Sequence, residues 1–291
     1  MKQDSLLQEE NGALMPETVT PSVLKKPTDP AALARLEIAD VGRDFHVRGD
    51  VVHAVSGIDM QIQHGEFVAL IGRSGCGKTT LLRMIGGLLA PTTGQIRVDG
   101  NQLWNGAHAN KSVIEGLGFV FQDANLFPWF SILDNIALPL KLRGVGKAER
   151  RRTAQEYADL VGLGSFTSAY PRELSGGMRQ RASIARALSI NPSLLLMDEP
   201  FGALDALTRE KMNLELQRIV AETNATTVFV THDIPEAVFL ADRVVHLTPR
   251  PGRIRQILQV PFPKERDIDI QTSTEFNDIV RRLRHDLDEE N

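Results

Sequence analysis

The stretch Gly72-Arg73-Ser74-Gly75-Cys76-Gly77-Lys78-Thr79, followed by Thr80, fits G-x-x-x-x-G-K-[ST] with no position forced. It constrains the fold more than any other part of the chain, because its chemistry needs a particular context. Backbone N–H groups must converge on an anion at a helix N-terminus, which requires a strand, a tight loop and a helix in that order. The flanks comply: Phe67-Val68-Ala69-Leu70-Ile71 is an apolar run of strand length, and Thr80-Leu81-Leu82-Arg83-Met84-Ile85-Gly86 reads as a helix. Glycines at 72, 75 and 77 let the main chain approach phosphate oxygens with no Cβ in the way. In such a loop Lys78 reaches the β- and γ-phosphates of a nucleoside triphosphate, and the Thr79 hydroxyl meets Mg²⁺. The remainder of the chain is then expected to act on that bound nucleotide.

Composition excludes several classes. A net charge of −4 gives no global basic field, which argues against nucleic acid as a partner. The single cysteine, Cys76, forbids an intrachain disulfide and fits a reducing compartment. No apolar run approaches the roughly 18–20 residues that span a bilayer, and Met1-Lys2-Gln3-Asp4-Ser5 lacks the form of a signal peptide. The expectation is a soluble or peripheral cytoplasmic protein.

Taken in order, residues 1–34 are polar and punctuated by Pro16, Pro21, Pro27 and Pro30, and read as a flexible extension. Strand character begins at Leu36–Val41 and continues at Val51–Ile62, where alternation predicts antiparallel β-structure with one wet face; Phe45 falls between the two. Beyond the phosphate loop come a strand at 95–100 and the apolar strand Leu117–Phe121, which delivers Gln122. From about 123 to 187 the pattern turns helical, as expected of a subdomain inserted into a nucleotide-binding core. Strand and helix then alternate: Leu194–Met197, Leu207–Thr223, Thr226–Val230, Ile234–Ala241, Val244–Leu247 and Ile254–Val260, with a turn at Pro249–Arg253. In the tail, 263–291, Thr272-Ser273-Thr274-Glu275 resembles a capping box. It opens an amphipathic helix carrying Phe276, Ile279, Val280, Leu283 and Leu287, a stripe suited to packing on its own domain.

Two further motifs narrow the function. Leu194-Leu195-Leu196-Met197-Asp198-Glu199 ends a fully apolar strand in two acids, placing carboxylates beside the phosphate loop. Asp198 there can hold Mg²⁺, and Glu199 can polarise an attacking water. Leu174-Ser175-Gly176-Gly177-Met178-Arg179-Gln180 reads as an N-cap and an exposed helix start, a second ready-made anion site. Either both anion sites serve one ligand within the chain, or each supplies half of a site shared between subunits.

At LSGGMRQ the chain resembles the ATP-binding cassette (ABC) ATPases, over roughly residues 35–262. That resemblance implies an α/β P-loop NTPase fold with an antiparallel β subdomain and an inserted helical subdomain. It implies ATP and Mg²⁺ as ligands, the phosphate loop Gly72–Thr80 as the cradle, and Gln122 as a sensor of Mg²⁺ and the attacking water. It also implies Asp205, in Ala203-Leu204-Asp205, as a contact to the other subunit, and His232 as a switch residue at the γ-phosphate. In such proteins an aromatic upstream of the phosphate loop stacks on adenine. Phe45 is the candidate here, with a core phenylalanine as the other reading. Two cassettes of this family pair head to tail, so that Ser175-Gly176-Gly177 of one closes the nucleotide site of the other.

Asn125-Leu126-Phe127-Pro128-Trp129-Phe130 presents aromatics around a proline, a groove for a partner helix or else the base of the helical subdomain. In ABC transporters this region receives the coupling helix of a membrane permease, which here would be met through Phe127-Pro128-Trp129. Several stretches, among them Phe201–Arg209, Pro128-Trp129 and Arg250-Pro251-Gly252-Arg253-Ile254, are similar to the nitrate/sulfonate/taurine group of importer ATPases. The resemblance therefore implies a peripheral subunit on the cytoplasmic face of the inner membrane, fed indirectly by an extracytoplasmic substrate-binding protein. A soluble ABC ATPase acting on DNA or ribosomes is the alternative; one phosphate loop, one signature and no heptad run count against it.

Overall fold

The computed structural model describes residues 36–289; the expected extension at 1–34 lies outside them. Strands β1 (Leu36–Val47), β2 (Asp50–Ile62) and β3 (Phe67–Ile71) lead to helix α1 (Lys78–Ile85), the helix that carries the phosphate-loop lysine at its start. The chain continues through β4 (Thr93–Val98), β5 (Asn101–Gln102), a small hairpin of β6 (Trp104–Asn105) and β7 (His108–Ala109), α2 (Lys111–Ile114) and β8 (Leu117–Val120). A helical stretch follows: α3 (Ile132–Leu142), α4 (Lys147–Leu160) and α5 (Gly176–Leu188). The last part alternates β9 (Leu194–Asp198), α6 (Ala206–Thr223), β10 (Thr226–Val230), α7 (Ile234–Leu240), β11 (Arg243–Leu247) and β12 (Ile254–Gln259), and ends in α8 (Thr274–Asp288).

These elements make two main sheets. One is four-stranded and antiparallel, in the order β2-β1-β4-β5; the other is six-stranded, in the order β12-β11-β3-β10-β9-β8. Within the six, β11, β3, β10, β9 and β8 run parallel and only β12 is antiparallel, at one edge. The residues of β3, β9 and β10 are all buried, which is why their sequences are continuous apolar runs instead of alternating ones. The two-residue period shows instead in which core each side chain joins. Phe67, Ala69 and Ile71 enter a core with the helices α3 to α8, while Val68 and Leu70 enter a second core with α1 and the antiparallel sheet. α1 is thus enclosed between two sheets, and the phosphate loop emerges at the C-terminal edge of the parallel strands.

Several local expectations shift. β1 does not end near Val41 but runs to Val47, so Phe45 lies within a strand, paired with Val52. Register breaks between Ile38 and Asp44, with Asp40 at φ 48, interrupt the alternation that would have announced the longer strand. α3 begins at Ile132 because the Ser131 hydroxyl accepts from the Asp134 N–H and caps it there. In the tail Ser273, not Thr272, is the N-cap, accepting from the N–H of Phe276. Phe276, Val280 and Leu283 of α8 are buried in the core that α7 shares.

Candidate nucleotide-binding site

A cavity of about 600 Å³ opens where β3 turns into α1. Its walls are Phe45, Val47, Val52 and Ala54 on one side, the loop residues Ser74, Gly75, Gly77, Lys78, Thr79 and Thr80 below, and Glu199, His232 and Arg250 on the other side. The sequence therefore named most of this wall, and the fold draws it together from five separate segments. Gly72, Arg73 and Cys76 belong to the loop without lining the cavity, and the Cys76 side chain is buried beneath it.

Loop geometry follows from what a side chain would hit. Gly77, the N-cap of α1, sits at φ 99, and a Cβ there would come within 2.7 Å of a Val55 methyl and 2.8 Å of the Ala54 carbonyl oxygen. No side chain caps this helix start, so its first N–H groups are left for a ligand. Lys78 is 6% exposed and donates to the carbonyl oxygens of Gly72 (2.7 Å) and Arg73 (3.3 Å). The ammonium is held within the loop that is expected to wrap a phosphate.

Beyond the loop, the Thr79 hydroxyl donates to Asp198 Oδ1 at 2.8 Å. Burial pushes the Asp198 carboxyl above its usual range, against the opposing effects of that hydroxyl bond and of Arg83 and Lys78; Glu199 adds to the rise. Such a carboxylate, next to a hydroxyl and aimed along the strand end, is a hard-oxygen donor set of the kind Mg²⁺ takes. Glu199 follows with φ 44, a left-handed conformation that costs an L-residue about 1–2 kcal/mol. Its N–H donates to the Val230 carbonyl oxygen at 3.0 Å, so β10 holds the residue in place. Glu199 Oε2 lies 3.0 Å from His232 Nδ1. A carboxylate oxygen only accepts, so this contact puts the proton on Nδ1 and leaves Nε2 for another partner. Gln122 approaches from β8: a Cβ at Gly202 would stand 3.6 Å from both Gln122 Nε2 and Glu199 Oε2, which places the amide and the carboxylate around one point.

Phe45 is half-buried, with the Arg43 guanidinium carbon 4.9 Å from its ring centroid. The ring lines the cavity and also packs against the second core.

Ser175, Gly176 and Gly177 stand apart from this cavity. They start α5, with the Ser175 hydroxyl accepting from the Met178 N–H at 3.3 Å. Gly177 packs on α6: a Cβ there would meet Thr208 at 3.1 Å. Asp205 also lies outside the cavity. It is the N-cap of α6, and its carboxyl is held below the usual range by the Thr208 hydroxyl and the Thr208 N–H.

Sequence reasoning missed the residues that tie Gln122 to α5. Arg186 donates to the carbonyl oxygens of Ala124 (2.8 Å) and Asn125 (2.7 Å), and Gln180 donates to that of Phe121 at 3.2 Å. The loop around Gln122 is therefore sewn to the helix that starts at Ser175. The aromatic segment after it is held by Asn135, fully buried on α3, which accepts from the Phe127 N–H at 2.7 Å and donates to the carbonyl oxygens of Phe127 and Phe130. Trp129 remains 66% exposed and Phe127 38%.

A phosphate loop after buried β3, a histidine after the adjacent β10 and an acid pair at the end of β9, one strand further, define a P-loop ATPase. The family model described as ABC transporter matches residues 55–202. The chain is 47% identical over 247 residues to the nitrate import ATP-binding protein NrtD of Synechocystis sp., covering 83% of this chain and 90% of that protein. It is 48% identical over 233 residues to the bicarbonate transport ATP-binding protein CmpC of Synechococcus elongatus, covering 79% of this chain but 34% of the longer relative. Among solved structures, the dimeric post-hydrolysis state of the ATP-binding cassette MJ0796 bound to ADP and Pi superposes with a TM-score of 0.68 and 32% identity, covering 78% of this chain and all of that one. The chain belongs to the ABC transporter family, as an ATP-binding cassette with ATPase activity. No helix among the described residues is long and apolar enough to cross a membrane.

Proposed function

We propose that this cassette works as a pair, and that ATP binding and hydrolysis by the pair drive uptake of a small anion through a membrane permease. The observation that carries the pairing is the separation of the two anion sites. The cavity holds the phosphate loop, Glu199 and His232, while the Ser175 helix start stands outside it with Ser175 and Gly176 exposed. A second copy, or a related cassette, would supply its own Ser175-Gly176-Gly177 to this cavity. The dimeric relative bound to ADP and Pi supports that arrangement.

Within the closed site each residue has a distinct task. Phe45 stacks on adenine, and the N–H groups of 75–80 with Lys78 hold the phosphates. Thr79 and Asp198 are the oxygen donors that fit Mg²⁺, with Gln122 beside them; the bound ion would supply charge neutralisation at the β- and γ-phosphates. Glu199 takes a proton from the water as its oxygen attacks the γ-phosphorus and the bond to the bridging oxygen breaks. His232 donates to Glu199 through Nδ1; a γ-phosphate oxygen only accepts, so a contact through Nε2 would need a proton on that nitrogen as well. Because Gln180 and Arg186 grip the backbone on either side of Gln122, a change at Gln122 is passed to α5 and to Phe127–Trp129, where the permease would dock.

The importer reading is supported by the nitrate and bicarbonate relatives, and it places the subunit on the cytoplasmic side of the membrane. The test is uptake by cells carrying this protein or its Lys78→Ala variant, across nitrate, bicarbonate, taurine, alkanesulfonates and pyrimidine precursors. Loss of one activity identifies the cargo; no change across the panel overturns the importer reading.

A further inference from the structure

The segment joining β11 to β12 is held against the phosphate loop by more contacts than a surface turn needs. Thr248 closes the turn on itself: its N–H donates to the Arg253 carbonyl oxygen (2.9 Å), and its hydroxyl accepts from the Arg253 N–H (3.1 Å) and donates to the Pro251 carbonyl oxygen (3.1 Å). Gly252 then adds to β2, donating to the Ala54 carbonyl oxygen and accepting from the Ser56 N–H, both at 3.0 Å. Only glycine fits at this point, since a Cβ on Gly252 would lie 2.0 Å from the Cys76 carbonyl oxygen. The turn therefore bridges the antiparallel sheet and the underside of the phosphate loop, and it fixes where Arg250 can reach.

Arg250 reaches over the loop. Its Nε donates to the Gly75 carbonyl oxygen at 3.0 Å, and its Nη2 lies 3.5 Å from where a Cβ on Gly75 would be. The side chain is exposed and lines the same cavity as Lys78, Glu199 and His232. Lys78 spends its ammonium on loop carbonyls, so Arg250 brings a second, outer cation to the cavity mouth. A guanidinium is always charged and carries five donors in a planar fork, a shape that matches phosphate oxygens. One donor anchors Arg250 to the loop, and the fork is then oriented by its own backbone clamp at little further entropic cost.

We propose that Arg250 is a nucleotide-contacting residue, anchored through Nε on Gly75 and holding a phosphate oxygen of bound ATP through its Nη donors. The proposal rests on the reading of the cavity as the ATP site. It gives the Arg250-Pro251-Gly252 turn a task in the binding step that a plain connection would not have.

The test is ATP titration of the full chain, followed by fluorescence of a nucleotide analogue displaced by ATP, for wild type, Arg250→Ala, Arg250→Lys and Lys78→Ala. Arg250→Ala is expected to weaken ATP binding about tenfold and to raise KM for hydrolysis with little change in kcat. Arg250→Lys is expected to recover part of the loss. The fall of affinity with salt should be shallower in Arg250→Ala than in wild type, because one phosphate-directed charge is gone. ATP affinity in Arg250→Ala within twofold of wild type, with Lys78→Ala impaired, overturns the proposal while the ATP site stands. An unchanged salt dependence assigns the loss to loop distortion and also overturns it. Unimpaired binding in Lys78→Ala overturns the reading of the cavity itself.

Discussion

The proposed shared site draws on two helix starts, and they differ in how finished they are. α1 begins at Gly77, inside a cavity, with no side chain on its first N–H groups and a lysine folded under the loop. α5 begins at Ser175, at the surface, and its own hydroxyl already caps the Met178 N–H. The first needs only a ligand. The second is capped well enough to be stable alone, and on the proposed pairing it would meet an anion only when a partner's nucleotide is brought to it. That asymmetry is what a site shared between two copies requires, because a half-site must survive while its partner is absent.

The comparison can be broken most sharply by adding a methyl group at each start. Gly77→Ala forces a left-handed residue against Val55 and Ala54. It should destabilise the fold by about 3 kcal/mol and remove ATP binding. Gly176→Ala meets nothing nearer than Leu204 at 3.6 Å. It should leave thermal stability and ATP binding by single copies unchanged while lowering hydrolysis. Equal effects in denaturation and ATP titration would erase the distinction between the two starts.

A half-buried ion pair links α6 to α7. Arg209 of α6 pairs with Asp233 at 3.1 Å, and Asp233 caps α7. Glu236 is buried below them and accepts from the Thr231 hydroxyl, with the Asn213 side chain beside it. The Glu236 carboxyl is raised from 4.5 to about 7, chiefly by burial and also by the neighbouring Asp233, against the lowering effects of the Thr231 hydroxyl, Arg209 and Asn213. A raised acid pKa binds its proton more tightly in the fold. The stabilisation is complete below the unfolded value and is lost as pH rises through 7, by up to about 3 kcal/mol. Glu236→Gln should therefore be less stable than or equal to wild type at pH 5 and more stable at pH 8, read from urea unfolding. Parallel pH dependence in both proteins would remove Glu236 from this account.

The smallest effect belongs to the cap itself. Ser175→Ala should cost about 1 kcal/mol by thermal unfolding, since one helix N–H loses its acceptor. A loss several times larger would mean that Ser175 also holds α5 on its neighbours.

Legibility followed the range of the interaction. The phosphate loop, the Asp198-Glu199 pair and the LSGGMRQ segment were readable because each is a local pattern with its own backbone requirement. The parallel strands β3, β9 and β10 were readable because burial on both faces leaves them uniformly apolar. The bulged end of β1 was not, since its register breaks cancel the two-residue period and hid Phe45 within a strand. Arg250 and Arg186 were also invisible as parts of the site. Each acts on a backbone carbonyl far away in the chain, at Gly75 and at Ala124 and Asn125, and a carbonyl leaves no mark on sequence. Buried Glu236 reads, in sequence, like any acid in a first helical turn.

In the proposed pairing the two helix starts complete each other across two cassettes. Light scattering on the size-exclusion peak of Glu199→Gln, which should bind ATP without turning it over, tests this most directly, with and without Ser175→Arg added. Glu199→Gln should be a dimer with ATP and a monomer without it, and adding Ser175→Arg should leave a monomer that still binds ATP. A Glu199→Gln protein that stays monomeric at saturating ATP, or one that dimerises equally well with Ser175→Arg, would contradict the pairing.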